Sequence, residues 1–299
     1  MFTYFPFLAE IVPQSGMFLD YSNPPRGTIL AGLFFLLIVV IGVVLDFGLV
    51  VYFIKRPPRL AEWHENLRRR ALPGKLILIL ALTLVAMYAA CSLAYSRIYP
   101  NVYEAEPETL VFQGLFFNLP ALLVIAGIFI HRRVSRREHN GAGWLLRAPA
   151  MVGLSVLLYL AAIPILWFYS MLFQIFLYRL GFDLGMQDVA EIFMQPASPL
   201  VRIAMFFTAV VLAPVFEEFL FRGVLLPWVV RRTGFWPGIA IVSFVFAGIH
   251  FHLPSLLPLF LLSSFFCVAY ARTRSLLVPI GMHACFNGVT IILLALTGG

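Results

Sequence analysis

The sequence predicts an all-α fold, that of a polytopic helical membrane protein, on three observations. First, 62% of its 299 residues are hydrophobic and only 12% are charged, whereas soluble globular domains average about 45–50% apolar and about 25% charged residues. Second, the apolar residues are gathered into runs of about 20 residues, the length that a helix needs to cross a bilayer. Third, the basic residues are concentrated in the connections between these runs, as membrane topology requires.

Eight apolar runs are the candidate membrane-spanning helices. Residues 1–27 precede them, mix aromatic and polar side chains with four prolines, and are expected to form an extracytoplasmic or interfacial lead-in. The connection between the sixth and seventh runs is very short, so these two could instead form one broken hairpin. The predicted spans are 28–54, 76–96, 110–130, 150–178, 203–230, 235–252, 254–271 and 275–297.

Basic and acidic connections alternate along this series of spans. The basic clusters follow the first, third, fifth and seventh spans: Lys55, Arg56, Arg59, Arg68, Arg69, Arg70 and Lys75; Arg132, Arg133, Arg136, Arg137 and Arg147; Arg231 and Arg232; Arg272 and Arg274. The acidic clusters follow the second and fourth: Glu104, Glu106 and Glu108; Asp183, Asp188 and Glu191. Because short cytoplasmic loops are rich in Lys and Arg, we expect a plasma-membrane protein with both termini extracytoplasmic. This topology also explains the net charge of +7, and binding to nucleic acid is not expected.

The stretch LAPVFEEFLFRG places three ionisable residues, Glu217, Glu218 and Arg222, inside the fifth span. Each such group costs about 2.5–3.5 kcal/mol at membrane depth and by default faces a bundle interior or a watery cavity. Arg222 lies one helical turn after Glu218 and can pair with it. The carboxylate of Glu217 then has no such partner and is free for another role. Pro214 loosens the helical hydrogen bonding just before them. A structural ion pair and a catalytic site both explain this stretch.

Further polar residues occur in the sixth and eighth spans. His250 ends the segment FVFAGIH, and His283 and Asn287 are four residues apart, on one face of a helix. Each motif alone also fits simple helix packing, and His252 is expected to point elsewhere. Since intramembrane polar groups need mutual partners, their concentration on three late spans predicts one shared cavity.

This set of side chains could hydrolyse a peptide bond in two ways. A carboxylate can take a proton from water that an imidazole orients, while an amide and a second imidazole stabilise the oxyanion. Alternatively, Glu217, His250 and His283 could hold a divalent metal such as zinc, which activates its bound water. The chain has neither HExxH nor GxSxG, so the usual zinc helix and a serine nucleophile are not expected.

The motifs EEFLFR, FAGIH and HACFN, in this order on late spans, resemble the CPBP family of intramembrane proteases, which includes the type II CAAX prenyl endopeptidases. The family patterns EExxxR, FxxxH and HxxxN are matched at Glu217, Glu218 and Arg222, at Phe246 and His250, and at His283 and Asn287. The resemblance implies a catalytic bundle at 201–299 that follows N-terminal transmembrane helices at 28–200.

The resemblance also implies a role for each motif residue. Glu217 and His250 would activate water, His283 and Asn287 would form the oxyanion site, and Glu218 with Arg222 would support it. Members of the family are described both as metalloproteases and as metal-free glutamate enzymes, so the cofactor is either none or a divalent metal.

We therefore interpret the chain as an intramembrane endopeptidase, similar to the CAAX proteases, that acts at the cytoplasmic side of the membrane. Its expected partners are a peptide or protein substrate and the lipid bilayer. Two alternatives stay open: a non-catalytic immunity or scaffold protein that keeps the polar cluster for packing, and a proton-coupled transporter, because intramembrane Glu and His also relay protons.

Overall fold

A computed structural model of the protein describes residues 26–99, 107–135, 143–182, 184–185, 188–195 and 197–297. Their regular secondary structure is entirely helical, which confirms the all-α prediction. The predicted lead-in at 1–27 lies outside the described residues except for its last two positions.

The first half of the fold consists of long helices and short connecting ones. Their bounds are α1 Arg26–Lys55, α2 Leu60–Arg70, α3 Gly74–Ile98, α4 Pro107–Gln113, which continues through a π-helical turn into α5 Leu119–Ser135, then α6 Gly143–Arg179 and α7 Asp188–Met194.

The second half begins with one long span that two π-helical segments divide. Its parts are α8 Pro199–Phe207, π-helical Thr208–Leu212, α9 Ala213–Glu218, π-helical Phe219–Leu225 and α10 Leu226–Thr233; then follow α11 Phe235–Gly248, α12 Leu256–Thr273 and α13 Leu277–Thr297.

Seven helices among the described residues are long and apolar enough to cross a membrane, rather than the eight that the sequence predicts. The exception is α11, whose 14 residues extend about 21 Å at 1.5 Å per residue, against a hydrocarbon core of about 30 Å. The predicted span continues to residue 252, but the helix stops earlier because Phe251 adopts a left-handed φ of 48° and a 3₁₀ turn at Leu253–Ser255 carries Pro254.

The short helix α11 and the long helix α12 form a hairpin that preserves the predicted alternation of sides. The turn between them is fixed by His252, whose Nε2 lies 2.9 Å from the carbonyl oxygen of Gly185, just beyond the C-terminal end of α6. At the opposite end, Arg272 donates to the Tyr52 hydroxyl, close to the C-terminal end of α1. The broken-hairpin alternative therefore describes this region well.

Helix α2 covers the basic ends of the late helices. It is amphipathic, with Trp63 and Leu67 buried, and it packs against α10 and α12. Its last residue, Arg70, donates to the Tyr270 hydroxyl at 3.0 Å. On its outer face, the hydrogen bond from Arg69 holds the pKa of the Glu65 carboxyl below its usual value.

The bundle core lies where α6, α11, α12 and α13 meet, with α1 packed outside α6. Helices α13 and α6 approach each other closely at Gly281, which has no side chain. A Cβ atom at this position would lie 2.6 Å from the Cβ of Ser155. This contact fixes the depth of α13, and so the position of its polar residues, against the rest of the bundle.

Candidate active site

The two π-helical segments lie on either side of α9, which carries Glu217 and Glu218. A π-helix closes its turns with i→i+5 hydrogen bonds and is frequent at functional sites. In this span Ala213 N–H bonds the carbonyl of Thr208, and Leu226 N–H bonds that of Phe221. The local widening of the helix turns its polar residues towards the neighbouring helices.

Arg222 is fully buried and has three hydrogen bonds. Its Nη1 donates to Oε1 of Glu218 at 2.7 Å, which confirms the predicted ion pair. Its Nη2 donates to the hydroxyl and the carbonyl of Ser263 at 2.7 and 3.1 Å. The guanidinium also lies within 4.8–5.8 Å of the ring centroids of three aromatic residues, a distance range in which cation–π attraction operates. These residues are Phe221, Phe246 and Phe266.

His283 is oriented by the same carboxylate. Its Nδ1–H donates to Oε1 of Glu218 at 3.0 Å, so one oxygen receives hydrogen bonds from both an imidazole and a guanidinium. The other ring nitrogen, Nε2, then faces Oε2 of Glu217 at 3.9 Å, which is too long for a direct hydrogen bond. Arg222, Glu218 and His283 therefore form a chain of contacts that ends beside Glu217.

Asn287 is anchored through a backbone group that a proline leaves unpaired. Continuing the π-helical pattern by one residue would pair the N–H of residue 214 with the carbonyl of Ala209, but Pro214 has no N–H. Nδ2 of Asn287 donates to this carbonyl at 2.7 Å. Pro214 thus creates the acceptor that positions Asn287, whose second N–H and carbonyl oxygen remain for other partners.

His250 lies just after the end of α11 and reaches the site from another direction. Its Nδ1–H donates to the carbonyl of Phe246 at 2.8 Å, so the neutral ring carries its lone pair on Nε2. The Phe246 ring packs against both histidines, at 5.1 Å from His250 and 5.8 Å from His283.

Four of the six predicted site residues line one cavity of about 240 Å³. They are Glu217, His250, His283 and Asn287, whereas Glu218 and Arg222 are buried behind them. The prediction that these polar groups converge is confirmed. His252, expected to point elsewhere, bonds Ser255 and Gly185 and is absent from the lining.

Glu217 differs from its neighbour Glu218 in exposure and in position, because Glu217 lines the cavity and Glu218 does not. Its side chain is 22% exposed, against 0% for Glu218. Its Oε2 atom is buried and has no hydrogen-bond partner in the described part of the chain. Because buried polar atoms are nearly always paired, this oxygen is suited to bind water or substrate in the cavity.

The three side chains that the sequence offers as metal ligands are Glu217, His250 and His283. Within the described ranges, no group of three or more His, Cys, Asp or Glu side chains is placed to hold a metal ion. These three side chains do share the cavity, and the protein engages only one ring nitrogen of each histidine, an arrangement that is also usual for histidines that bind a metal.

The cavity does not extend in the direction that the sequence led us to expect. Its remaining lining residues lie on the side of the acidic connections, and include Leu110 near the start of α4, Ala190 and Phe193 on α7, and Leu294 near the end of α13. The expectation of a site open to the basic side therefore differs from the geometry.

Comparison with known families adds an independent observation. Residues 199–289 match the family model described as type II CAAX prenyl endopeptidase Rce1-like. The matched segment is about a third of the chain and carries all three motifs. The resemblance inferred from the three motifs is thus confirmed, and the match supports a CAAX-protease-like intramembrane endopeptidase. No curated protein and no solved structure matches the chain.

The Rce1-like segment contains all six predicted site residues, and also several that the sequence analysis missed. Ser263 binds Arg222 from α12, and its only signal is a polar residue within an apolar span. Phe266 packs on both Arg222 and His283, but nothing distinguishes it from the neighbouring phenylalanines in sequence. That the carbonyl of Ala209 lacks a helical hydrogen bond could have been inferred from Pro214, but not that Asn287 donates to it.

Proposed function

We propose that the protein is an endopeptidase that hydrolyses a peptide bond inside the membrane. The observation that carries this proposal is the unpaired, buried Oε2 of Glu217, in a cavity shared with two imidazoles and an amide. The family match supports the same class of reaction.

In this mechanism Glu217 is the general base and His250 orients the water through its free Nε2. Glu217 takes a proton from the water, whose oxygen attacks the carbonyl carbon of the scissile bond. As the C–N bond breaks, the proton passes to the leaving nitrogen. No step requires a metal.

His283 and Asn287 are proposed to stabilise the oxyanion. Nε2 of His283 faces the cavity, where an N–H on this atom would donate to the oxyanion alongside the second N–H of Asn287. Glu218 and Arg222 are positioning residues that act through His283.

The test uses purified protein in liposomes with a library of membrane-inserted peptides, with new termini identified by mass spectrometry. Glu217→Gln should reduce cleavage by about 10²–10⁴-fold, the usual contribution of a general base. Glu65→Gln, the same change on the exposed face of α2, should cleave normally. Normal cleavage by Glu217→Gln would exclude Glu217 as the base, and a wild-type protein that cleaves nothing would favour the scaffold interpretation.

A pair of neighbouring histidines gives a second comparison. His250→Ala should lose cleavage because the water loses its orienting nitrogen. His252→Ala should keep most of it, since His252 holds a turn rather than lining the cavity. Equal losses in the two variants would show that the effect is structural.

A further inference from the structure

Among the described residues, the lining of the cavity extends from the polar cluster in one direction only. In the fifth span, its lining residues run from Met205 to Glu217, and none lies beyond Glu217 towards α10. In α13 they run from His283 to Leu294, about 16 Å along the axis at 1.5 Å per residue. From α12 the cavity is lined by Leu259, near the helix start. Each of these stretches adjoins the acidic connections or the turn that His252 ties to Gly185.

The opposite direction is closed by packed side chains. Arg222 and Phe266 fill the bundle immediately behind the polar cluster, and both are 0% exposed. Nearer the basic ends, Tyr270 is buried and hydrogen-bonded to Arg70. Helix α2 lies across these ends, with Trp63 packed against α10 and α11 through the core. A peptide could not reach Glu217 from this side without displacing α2 and Arg222.

The charges of the connections assign these two directions to the two sides of the membrane. Most of the 21 lysines and arginines lie in the connections on the α2 side, which the positive-inside rule places in the cytoplasm. The α7 side carries the acidic connections, with Glu108 and Glu191 exposed on it. The closed end of the site is therefore cytoplasmic and the open end extracytoplasmic.

From this arrangement we propose that the substrate enters from the extracytoplasmic side. The substrate class is a translocated or membrane-inserted peptide whose scissile bond lies on the extracytoplasmic side of Arg222. A lipidated tail anchored on the cytoplasmic leaflet would meet the closed end. The statement about substrate rests on the proposed peptidase function, whereas the access route rests on the geometry of the cavity and on the charges of the connections.

The access route can be tested by labelling cysteines with a charged, membrane-impermeant methanethiosulfonate. The three native cysteines, Cys91, Cys267 and Cys285, are first replaced by alanine in the full chain. Thr290→Cys then reports on the cavity. Glu191→Cys and Glu65→Cys, both at surface positions, report on the acidic and basic sides. Each variant is labelled in right-side-out and in inside-out membrane vesicles.

We expect Thr290→Cys and Glu191→Cys to react in right-side-out vesicles and to lose that reaction in inside-out vesicles. Glu65→Cys should show the reverse. The proposal is overturned if Thr290→Cys follows Glu65→Cys, if it reacts from neither side, or if Glu65→Cys reacts in right-side-out vesicles. The control is detergent-solubilised protein, in which no membrane blocks the reagent. Glu191→Cys and Glu65→Cys must both react there.

Labelling does not require catalysis, so the two proposals fail separately. A protein that labels as expected but cleaves nothing contradicts the peptidase function and leaves the access route in place. A protein that cleaves peptides but admits the reagent to Thr290→Cys only from the basic side contradicts the access route alone.

Discussion

The buried pair of Glu218 and Arg222 allows a quantitative test of how the site is held together. Arg222→Met removes three hydrogen bonds and leaves the Glu218 carboxylate with His283 as its partner. Glu218→Gln leaves the guanidinium without a counter-charge. Each single change should lower the free energy of unfolding by about 3–5 kcal/mol, because it leaves one buried charge uncompensated.

The double variant should be more stable than either single variant. With both charges gone, Gln still accepts the His283 N–H, and Met packs well among the rings of Phe221, Phe246 and Phe266. Replacing both partners of a buried ion pair is often nearly neutral. Unfolding in detergent, followed by tryptophan fluorescence, measures all three variants. A double variant that loses the sum of the two single losses would refute the proposed pairing.

The exposed pair of Glu65 and Arg69 is a matched control with the same i,i+4 spacing. Its side chains are 47% and 76% exposed and its atoms are 2.9 Å apart. Because solvent-exposed pairs contribute about 0.2–1 kcal/mol, Glu65→Gln and Arg69→Met should each change stability little. If Arg69→Met lowered the free energy of unfolding as much as Arg222→Met does, burial would not determine how much such an ion pair contributes to stability.

Two further predictions concern backbone contacts. Gly281→Ala should destabilise the protein by about 1–3 kcal/mol because its new methyl group overlaps Ser155. Gly153→Ala is the control, since no atom outside its own stretch of helix lies within 4 Å of its Cβ position. Equal thermal stability of the two variants would contradict the overlap. Asn287→Leu should lose about 1–3 kcal/mol because the carbonyl of Ala209 becomes an unpaired buried acceptor; an unchanged unfolding transition would show that this carbonyl finds another partner.

Much of the fold follows from composition and from the spacing of apolar residues. The long spans and the alternation of charged connections depend on local sequence, and the structure contains seven of the eight predicted spans. The shortness of α11 could not be predicted, because Ile249 and Phe251 continue the apolar pattern after the helix ends at Gly248. The end depends on the turn, where Phe251 takes a left-handed conformation and His252 bonds a distant carbonyl.

In the candidate site, too, some features follow from the sequence and others depend on how the helices pack. The pairing of Glu218 with Arg222 follows from helical spacing, and the gathering of the polar residues follows from their need for partners. Ser263 and Phe266 could not be found in this way, because their role depends on where α12 crosses the fifth span. The direction of the cavity was also beyond the sequence, since loop charges fix topology but not which end of a bundle is filled by side chains.

The two π-helical segments make the length of the fifth span critical to its chemistry. Each accommodates one residue more than an α-helix would over the same distance. Deleting a single residue from Thr208–Leu212 would return it to α-helical geometry and rotate the preceding part of the helix by about 100° relative to Glu217. Met205 would then turn away from the cavity while Glu217 kept its position. The span therefore tolerates substitution more readily than a change in the number of its residues, and a chain one residue shorter here would keep every motif while losing the cavity between them.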